Sequence, residues 1–211
     1  MAAKKKEQPI TISPPNIQTV EFGIIGTAPY VQNKFSKREM DAMRGKQEAG
    51  STAKKGNKKA PKDFNKCYEE AIHRSVEGWC GIPATAFRNA MIDACRMAGF
   101  QMTRARMSVF VEADGFDPDD GTPLVKFESG EPKRFDSVVR ISMGGTDIHP
   151  RPIWDPGWTV VLRVQFDADQ FTQEDVANLL LRAGMQVGVG EGRPFSKNSN
   201  GMGWGTFTFS N

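Results

Sequence analysis

The sequence predicts an α+β fold with a ferredoxin-like, or RRM-like, core in which two strand–helix–strand units lie side by side. Two segments, 84–98 and 172–183, have the periodicity of amphipathic helices, and each is flanked by segments that alternate like strands. We interpret residues 31–66 and 114–155 as insertions, the first basic and the second containing a hairpin. A glycine-rich loop precedes the last strand.

The first half of the chain begins with a polar segment, residues 1–15, which we expect to be a flexible arm before a domain at 16–211. Residues 16–25 are β-rich and place Val20, Phe22 and Ile24 on one face, which predicts the first strand. Pro83 is suited to open the helix over 84–98. The apolar stripe of that helix consists of Ala84, Phe87, Met91, Ala94, Cys95 and Ala98.

Residues 103–112 alternate between apolar and polar side chains, which predicts a strand with Arg104, Arg106 and Phe110 on its outer face. Such a face can stack on and neutralise single-stranded nucleic acid. An ordinary solvated face gives the same pattern, so both interpretations stay open. After an acidic turn over 114–123, Gly144-Gly145 predicts a hairpin turn, and two prolines keep its second arm at a sheet edge.

The last third of the chain contains the clearest strand, 158–166, and a helix that begins with a capping box at Thr172 and Asp175 and ends before Gly184. A glycine-rich loop follows, between strand-like stubs at 185–189 and 204–209, with glycine at 188, 190, 192, 201, 203 and 205. We expect free backbone N–H groups there, beside Arg193 and Lys197, suited to a phosphate backbone or another chain. The alternative is a purely structural connection.

The loop does not have the spacing of a nucleotide-cofactor site. Both glycine clusters are GxGxG rather than GxGxxG, and GxxxxGK[ST] is absent from the sequence. Cys67, Cys80 and Cys95 form no CxxC pair, so we expect no structural zinc and reduced thiols. Neither an apolar membrane span nor a secretory signal is recognisable, which predicts a cytoplasmic protein without cofactors.

Positive charge is concentrated in one segment. The chain carries a net +3, but residues 31–66 hold eleven Lys and Arg against four Asp and Glu, a net +7. This distribution indicates a polyanion partner, although a solvated lysine-rich loop is the alternative. The candidate nucleic-acid-binding residues are Lys34, Lys37, Arg38, Lys54, Lys55, Lys58, Lys59, Arg88, Arg104, Arg106, Phe110, Gly188, Gly190, Gly192, Arg193, Lys197, Gly201 and Gly203.

The element order, the basic insertion after the first strand and the glycine-rich loop before the last strand resemble the RAMP superfamily, and within it the backbone subunits of CRISPR effector complexes. Four segments of the sequence are also similar to a family of bacteriophage proteins of unassigned function: IIGTAPYVQNKFS, GIPATAFRNAMIDACR, LLLRAGMQVGVGEGRPF and GMGWGTF. This resemblance implies a non-catalytic protein that contacts single strands through their backbone and forms helical filaments.

The function expected from the sequence is therefore sequence-independent binding of single-stranded DNA or RNA by a protein that oligomerises along the strand. One alternative is a metal-independent RNA endonuclease of the same fold, in which His73 or His149 acts as a general base. Another is a virion or assembly protein whose basic loop binds DNA.

Overall fold

The computed structural model describes residues 13–48, 50, 61–140, 145–197 and 199–210. These residues form an α+β architecture with antiparallel sheets and five α-helices, so the predicted α+β class is confirmed. Within them, no helix is both long and apolar enough to span a bilayer. Four predicted contact residues and the first glycine of the predicted hairpin turn lie outside the described residues: Lys54, Lys55, Lys58, Lys59 and Gly144.

Strands and helices follow one another irregularly along the chain. The strands are β1 (Ile17–Gly26), β2 (Tyr30–Val31), β3 (Gly81–Pro83), β4 (Val109–Val111), β5 (Gly115–Phe116), β6 (Pro123–Ser129), β7 (Lys133–Arg140), β8 (Thr146–Trp154), β9 (Thr159–Asp167) and β10 (Phe207–Phe209). The helices are α1 (Lys37–Glu48), α2 (Phe64–Glu70), α3 (Ala84–Ala98), α4 (Met102–Ser108) and α5 (Gln173–Arg182).

The larger sheet has the strand order β10-β1-β9-β6-β3, with β4 also beside β9 and β5 beside β6. The second sheet has the order β2-β8-β7. β9 is the central strand of the large sheet, and its side chains alternate between buried and half-buried, as the sequence predicts. Its buried face carries Trp158, just before the strand, and Val160, Leu162, Val164 and Phe166. Val20, Phe22 and Ile24 of β1 extend the same core.

The two long helices of the core, α3 and α5, match their predicted positions. Pro83 occupies the cap position before α3, and Gly99 ends the helix in the left-handed conformation at φ 69°. Thr172 and Asp175 form the predicted capping box of α5. Both helices pack against each other over the buried face of the large sheet, which gives the protein one continuous hydrophobic core.

The short sheet and α1 and α2 form a second layer of structure around the basic segment. Ser36 Oγ accepts a hydrogen bond from the Glu39 amide, 3.2 Å, as the predicted capping box requires, but α1 continues past Gly45 to Glu48. α2 packs against β8. The sequence predicts an edge position for the strand with Pro150 and Pro152, but β8 is the middle strand of the order β2-β8-β7, and the Gln32 amide donates to the Pro152 carbonyl, 3.1 Å.

The predicted strand over 103–112 is wrong for most of its length. Residues 102–108 form helix α4, and only Val109–Val111 is a strand. The helix buries Ala105 and Ser108, which are three residues apart, so a helical period explains this short segment as well as alternation does. Arg104 and Arg106 therefore do not lie on a sheet face.

The predicted strand over 185–189 is also wrong. The chain continues from α5 into a π-helical turn, Ala183–Val187, and Gly184 is buried within it rather than at a helix end. A Cβ at Gly184 would lie 2.2 Å from the Phe207 carbonyl oxygen, so glycine there lets β10 approach the turn. β10 is shorter than predicted and begins at Phe207.

Among the described glycines, Gly205 has the least room for a side chain, where the two halves of the glycine-rich loop meet. The Val189 amide donates to the Gly205 carbonyl, 3.0 Å, and a Cβ on Gly205 would lie 1.7 Å from the Val189 carbonyl oxygen. Gly205 also has a positive φ of 67°. This position therefore requires glycine for both conformation and space.

Gly205→Ala should lower the free energy of unfolding by at least ~3 kcal/mol, because the new methyl group forces two backbones apart. Gly201→Ala is the matched control, since Gly201 has a similar φ of 66° and a methyl group there would meet no atom of the described residues within 4 Å. Its cost should be about 1 kcal/mol, the penalty of the left-handed conformation alone. Urea denaturation of the two variants measures the difference, and equal costs would contradict the proposed packing constraint.

Candidate nucleic-acid groove

Two adjacent cavities form a groove across the face where the glycine-rich loop meets the basic segment. The glycine-side cavity has a volume of about 330 Å³ and the basic cavity about 250 Å³, and Asn33 lines both. The glycine-side cavity is lined by Tyr30, Gln32, Asn33, His73, Pro83, Ala86, Gly190, Glu191, Gly192, Arg193, Ser196 and Ser199. The basic cavity is lined by Asn33, Lys34, Phe35, Ser36, Arg38, Glu39, Lys62, Cys67, Glu70, Ala71, His149, Pro150 and Arg151.

The glycine-rich loop is held against the chain that leaves β1 and enters β2. The Glu191 amide donates to the Val31 carbonyl, 2.9 Å, and the Gly205 amide donates to the Pro29 carbonyl, 2.7 Å. A Cβ on Gly190 would lie 2.5 Å from the Val31 carbonyl oxygen. The expectation of free amides along the loop is therefore wrong for Glu191 and Gly205, whose amides bond within the fold.

Arg193 holds the loop in shape rather than pointing freely at a ligand. Its Nη1 donates to the Gly190 carbonyl, 3.0 Å, and its Nε donates to the Phe195 carbonyl, 3.2 Å. No hydrogen bond within the described structure uses the amides of Gly190 and Gly192, which belong to the cavity lining. Both glycines have positive φ, 80° and 73°, and the amide of Glu191 between them donates to the Val31 carbonyl.

The basic cavity combines cations with one exposed aromatic ring. Arg38 comes from α1, Lys62 from the segment before α2, and Arg151 from β8. Phe35 lies between the buried residues Lys34 and Ser36 and is 53% exposed. An exposed phenylalanine ring beside cations is the arrangement that proteins use to stack unpaired bases while neutralising the adjoining phosphates.

Arg38, Lys62 and Arg151 have acidic partners of their own. Arg38 lies 3.7 Å from Glu70, and Lys62 lies 3.3 Å from Asp147. Arg151 Nε bonds Glu191 at 2.9 Å and so ties β8 to the glycine-rich loop. The Arg38 side chain is 53% exposed, so Arg38 can exchange its acidic partner for a phosphate. The Arg151 side chain is only 12% exposed, so its ion pair with Glu191 has a structural role.

A buried network of charged and polar side chains lies behind the groove. Lys34 Nζ is 2.8 Å from Asp117 and 2.6 Å from Asp119, and the side chains of Lys34 and Asp117 are 5% and 0% exposed. His73 Nδ1 lies 2.8 Å from Asp117 Oδ2. The His73 amide donates to Gln32 Oε1, 2.7 Å. The network therefore connects the residues that follow β2 and α2 to the acidic loop after β5.

The pKa values in this network favour the charged forms of the ion pair. Burial alone would raise the pKa of the Asp117 carboxyl, but hydrogen bonds from Lys34, from the Asp119 amide and from His73 lower it below its ordinary value. Burial likewise opposes charge on Lys34, yet its two carboxylate partners raise its pKa. Because folding lowers the Asp117 pKa, the network stabilises the fold at neutral pH, and this stabilisation is lost as the pH falls below about 4.

One part of the network has the residue types of a metal site. Ligand atoms of His73, Asp117 and Asp120 all lie within 4.8 Å of one another. However, the carboxylate of Asp117 already receives the Lys34 ammonium and the His73 ring. The ammonium thus supplies the positive charge that a metal ion would bring, and a metal would have to displace it.

The two histidines of the chain differ in what their ring nitrogens contact. Both nitrogens of His149 have partners, since Nε2 is 3.0 Å from Asp147 Oδ2 and Nδ1 is 3.3 Å from Arg151 Nη2. His73 uses Nδ1 for Asp117, and no contact to its other ring nitrogen is found within the described residues. His73 is therefore the better placed of the two to exchange a proton with a molecule in the groove.

The structure brings only part of the predicted set of contact residues to the groove. Arg38, Gly190, Gly192 and Arg193 line it. Lys34 lines it too, but its ammonium is buried against two carboxylates, so its predicted role as a phosphate contact is wrong. The other described candidates line neither cavity: Lys37, Arg88, Arg104, Arg106, Phe110, Gly188, Lys197, Gly201 and Gly203.

Two of the predicted contact arginines outside the groove, Arg88 and Arg104, have partners elsewhere in the fold. Arg88 Nε donates to the Val109 carbonyl, 2.9 Å, and its guanidinium lies 5.1 Å from the Phe110 ring centroid. Arg104 contacts Gln170 and the Phe100 ring. The outer face of the large sheet is acidic around Arg163, which bonds Glu112 and Asp114.

Sequence reasoning missed several groove residues. Asn33 and Phe35 stand next to predicted cations, but an isolated asparagine or phenylalanine gives no periodic signal. Arg151 sits in the second insertion, and Asp117 is separated from Lys34 by more than eighty residues. No protein-family model matches the chain, and no curated protein is significantly similar to it. Function is therefore inferred from the geometry of the groove.

Asp117→Ala should lower the free energy of unfolding by about 3–5 kcal/mol, because it leaves the Lys34 ammonium buried with one partner and orphans His73 Nδ1. Asp119→Ala is the control, since Lys34 keeps Asp117 and the Asp119 side chain is 36% exposed. Its cost should stay below about 1 kcal/mol. Chemical denaturation at neutral pH measures both, and similar losses would contradict the central role of Asp117.

Proposed function

We propose that this protein binds single-stranded nucleic acid, without sequence specificity, along the groove between the basic segment and the glycine-rich loop, and that it oligomerises on the strand. The observation that carries the proposal is the shared wall of the two cavities at Asn33. An aromatic ring and an exposed arginine line the cavity on one side of this shared residue, and two glycines whose amides have no partner among the described residues line the other. This is the combination of stacking and backbone contact that single-strand binding uses.

Phe35 supplies the stacking surface in this proposal. Its ring is more than half exposed, although its neighbours Lys34 and Ser36 are buried and fix the backbone on both sides. A stacked base needs an unpaired strand, since the bases of a duplex are already stacked on each other. The glycine-side cavity would then receive the next phosphate, with the amides of Gly190 and Gly192 as donors.

The net charge of the described groove is small, so its affinity requires a further source of positive charge. The segment that joins α1 to Lys62 supplies it in the sequence, with Lys54, Lys55, Lys58 and Lys59. These residues lie outside the described structure, but Lys62, at one end of the segment, lines the basic cavity. Lysines that contact the phosphates of a nucleic-acid strand give an affinity that depends on the salt concentration and not on the base sequence.

The strand order supports the ferredoxin-like part of the proposal. The order β10-β1-β9-β6, all antiparallel, has α3 and α5 as the two helices that pack on one face, which is the arrangement expected of two interleaved strand–helix–strand units. A kinship with the RAMP superfamily would fit this order and the place of the glycine-rich loop. It remains part of the proposal, as does the phage resemblance.

Paired phenylalanine and arginine variants test the binding proposal. Phe35→Ala should weaken binding to single strands by about tenfold, the value of roughly one stacked base. Phe110→Ala is the matched control, because Phe110 is 39% exposed but lies outside the groove. Arg38→Ala should weaken binding and lower its salt dependence by about 0.7 per contact, while exposed Arg106→Ala should not.

Fluorescence anisotropy with labelled single-stranded DNA and RNA, at several salt concentrations, measures these effects, and melting temperatures confirm that each variant is folded. If Phe110→Ala and Arg106→Ala weaken binding while the groove variants do not, the strand lies elsewhere. Equal affinity for duplex and single strands would contradict the stacking role of Phe35.

A second candidate function is RNA cleavage without a metal, in which His73 exchanges the proton. The observation that favours His73 is its position on the cavity wall with Nδ1 fixed by Asp117, an arrangement that orients a histidine for acid–base chemistry. His149 lacks it, because both of its nitrogens are engaged.

Any magnesium-independent cleavage of RNA by the protein should be lost in His73→Gln and kept in His149→Gln, while both variants keep strand binding. The binding titrations repeated in EDTA and analysed on denaturing gels give the answer. Cleavage that survives His73→Gln would exclude this candidate.

A further inference from the structure

The first half of strand β1 has an open edge. β1 pairs with β9 from Ile17 to Ile25, but β10 covers its other side only from Ile24 to Gly26. Just after β10, the Ser210 amide donates one further hydrogen bond to the Gly23 carbonyl of β1, 2.9 Å. No described strand lies beside residues 17–22 on that side.

The backbone groups that face this edge follow from the pairing. The N–H and C=O of one residue in a strand point to the same side, and successive residues alternate. Because the Gly23 carbonyl points toward β10, the backbone groups of Ile17, Thr19 and Glu21 point to the open edge. Sheets normally protect an edge with lysine, proline or a bulge, and residues 17–22 contain neither of those residue types and pair with β9 without a bulge.

We propose that the open edge of β1 pairs antiparallel with the same edge of a second copy of this chain, about a two-fold axis at Thr19. Thr19 then faces Thr19 of the second copy, and Ile17 faces Glu21. The two-fold axis makes every contact twice, and the backbone groups of the three edge residues are all satisfied.

The choice of register follows from charge and space. A two-fold axis at Glu21 would place two carboxylates opposite each other, which is unfavourable between neighbouring strands. An axis at Val20 would bring Ile17 of the second copy opposite Gly23, whose carbonyl already accepts from Ser210. The axis at Thr19 avoids both conflicts, and facing threonines form a favourable cross-strand pair.

A second copy carries the same edge with the same spacing of backbone donors and acceptors. A two-fold axis therefore places each edge N–H of one copy opposite an edge C=O of the other. Residues 17–22 carry one charge, the Glu21 carboxylate, and the axis at Thr19 keeps it away from the Glu21 carboxylate of the second copy.

The proposed contact leaves the nucleic-acid groove accessible. None of residues 17–22 lines either cavity. A two-fold contact also closes on itself, so it gives a dimer with two grooves rather than a filament. The inference does not depend on the proposed nucleic-acid binding, and its test needs no nucleic acid.

Thr19→Cys in the full chain tests the register. Residues facing each other in a hydrogen-bonded pair have Cα atoms about 5.5 Å apart, within the range that a disulfide bridges. Under mild oxidation we expect most of this variant to run as a covalent dimer on a non-reducing gel. Glu21→Cys is the control on the same exposed side, where the proposed register separates the two cysteines by about 14 Å. On that gel it should run as a monomer, because no covalent link forms, and so should the parent with its three native cysteines.

Thr19→Pro provides an independent readout without a cross-link. The substitution removes one N–H from the open edge and none from the β1–β9 ladder, so the fold is retained. In analytical ultracentrifugation the parent should sediment as a dimer and Thr19→Pro as a monomer. The proposal would be overturned if the parent sediments as a monomer. It would also be overturned if Thr19→Cys and Glu21→Cys cross-link equally. Either result would leave the binding titrations unaffected.

Discussion

The groove depends on a buried ion pair between Lys34 and Asp117, because the segments that form its walls have little regular structure. Lys34 lies between β2 and α1, His73 follows α2, and Asp117 follows β5. Removing a lysine and a carboxylate from water is costly, and only short, well-directed bonds offset that cost. The pair is 2.8 Å apart, and Asp119, the Asp119 amide and His73 satisfy the remaining hydrogen-bonding groups. The same bonds that offset desolvation also fix Asn33 and Phe35 in front of the network.

Glycine sets the second constraint, on the opposite wall. A side chain at Gly190 would overlap the Val31 carbonyl oxygen of β2, and a side chain at Gly205 would overlap the Val189 carbonyl oxygen in the other half of the loop. All six predicted loop glycines have positive φ. These glycines are therefore required first by the fold, and in our proposal the nucleic acid binds the surface that this packing leaves exposed. The ionic network and the packed glycines meet at the end of β2, next to Asn33. This explains why the groove lies there.

Local periodicity predicted the core well. The strand around Val160, the helix over Ala84–Ala98 and the capping box at Thr172 each depend on residues a few positions apart. Segments 103–108 and 185–187 were mispredicted because a seven-residue helix and a π-helical turn are too short for alternation to distinguish them from strands. The role of Lys34 was not predictable from composition, since its partner Asp117 is far along the chain and only the tertiary fold brings them together. Part of the basic segment supplied a buried structural charge instead of a phosphate contact.

The path of the strand is the central claim, and photo-cross-linking tests it most directly. Single-stranded oligonucleotides carrying a photoreactive base at each position in turn would be irradiated in complex with the full chain, and the attached peptides identified by mass spectrometry. The groove predicts attachment at Phe35 and within the 190–193 stretch, on opposite sides of Asn33. Attachment confined to the outer sheet face around Phe110 and Arg163 would contradict the account.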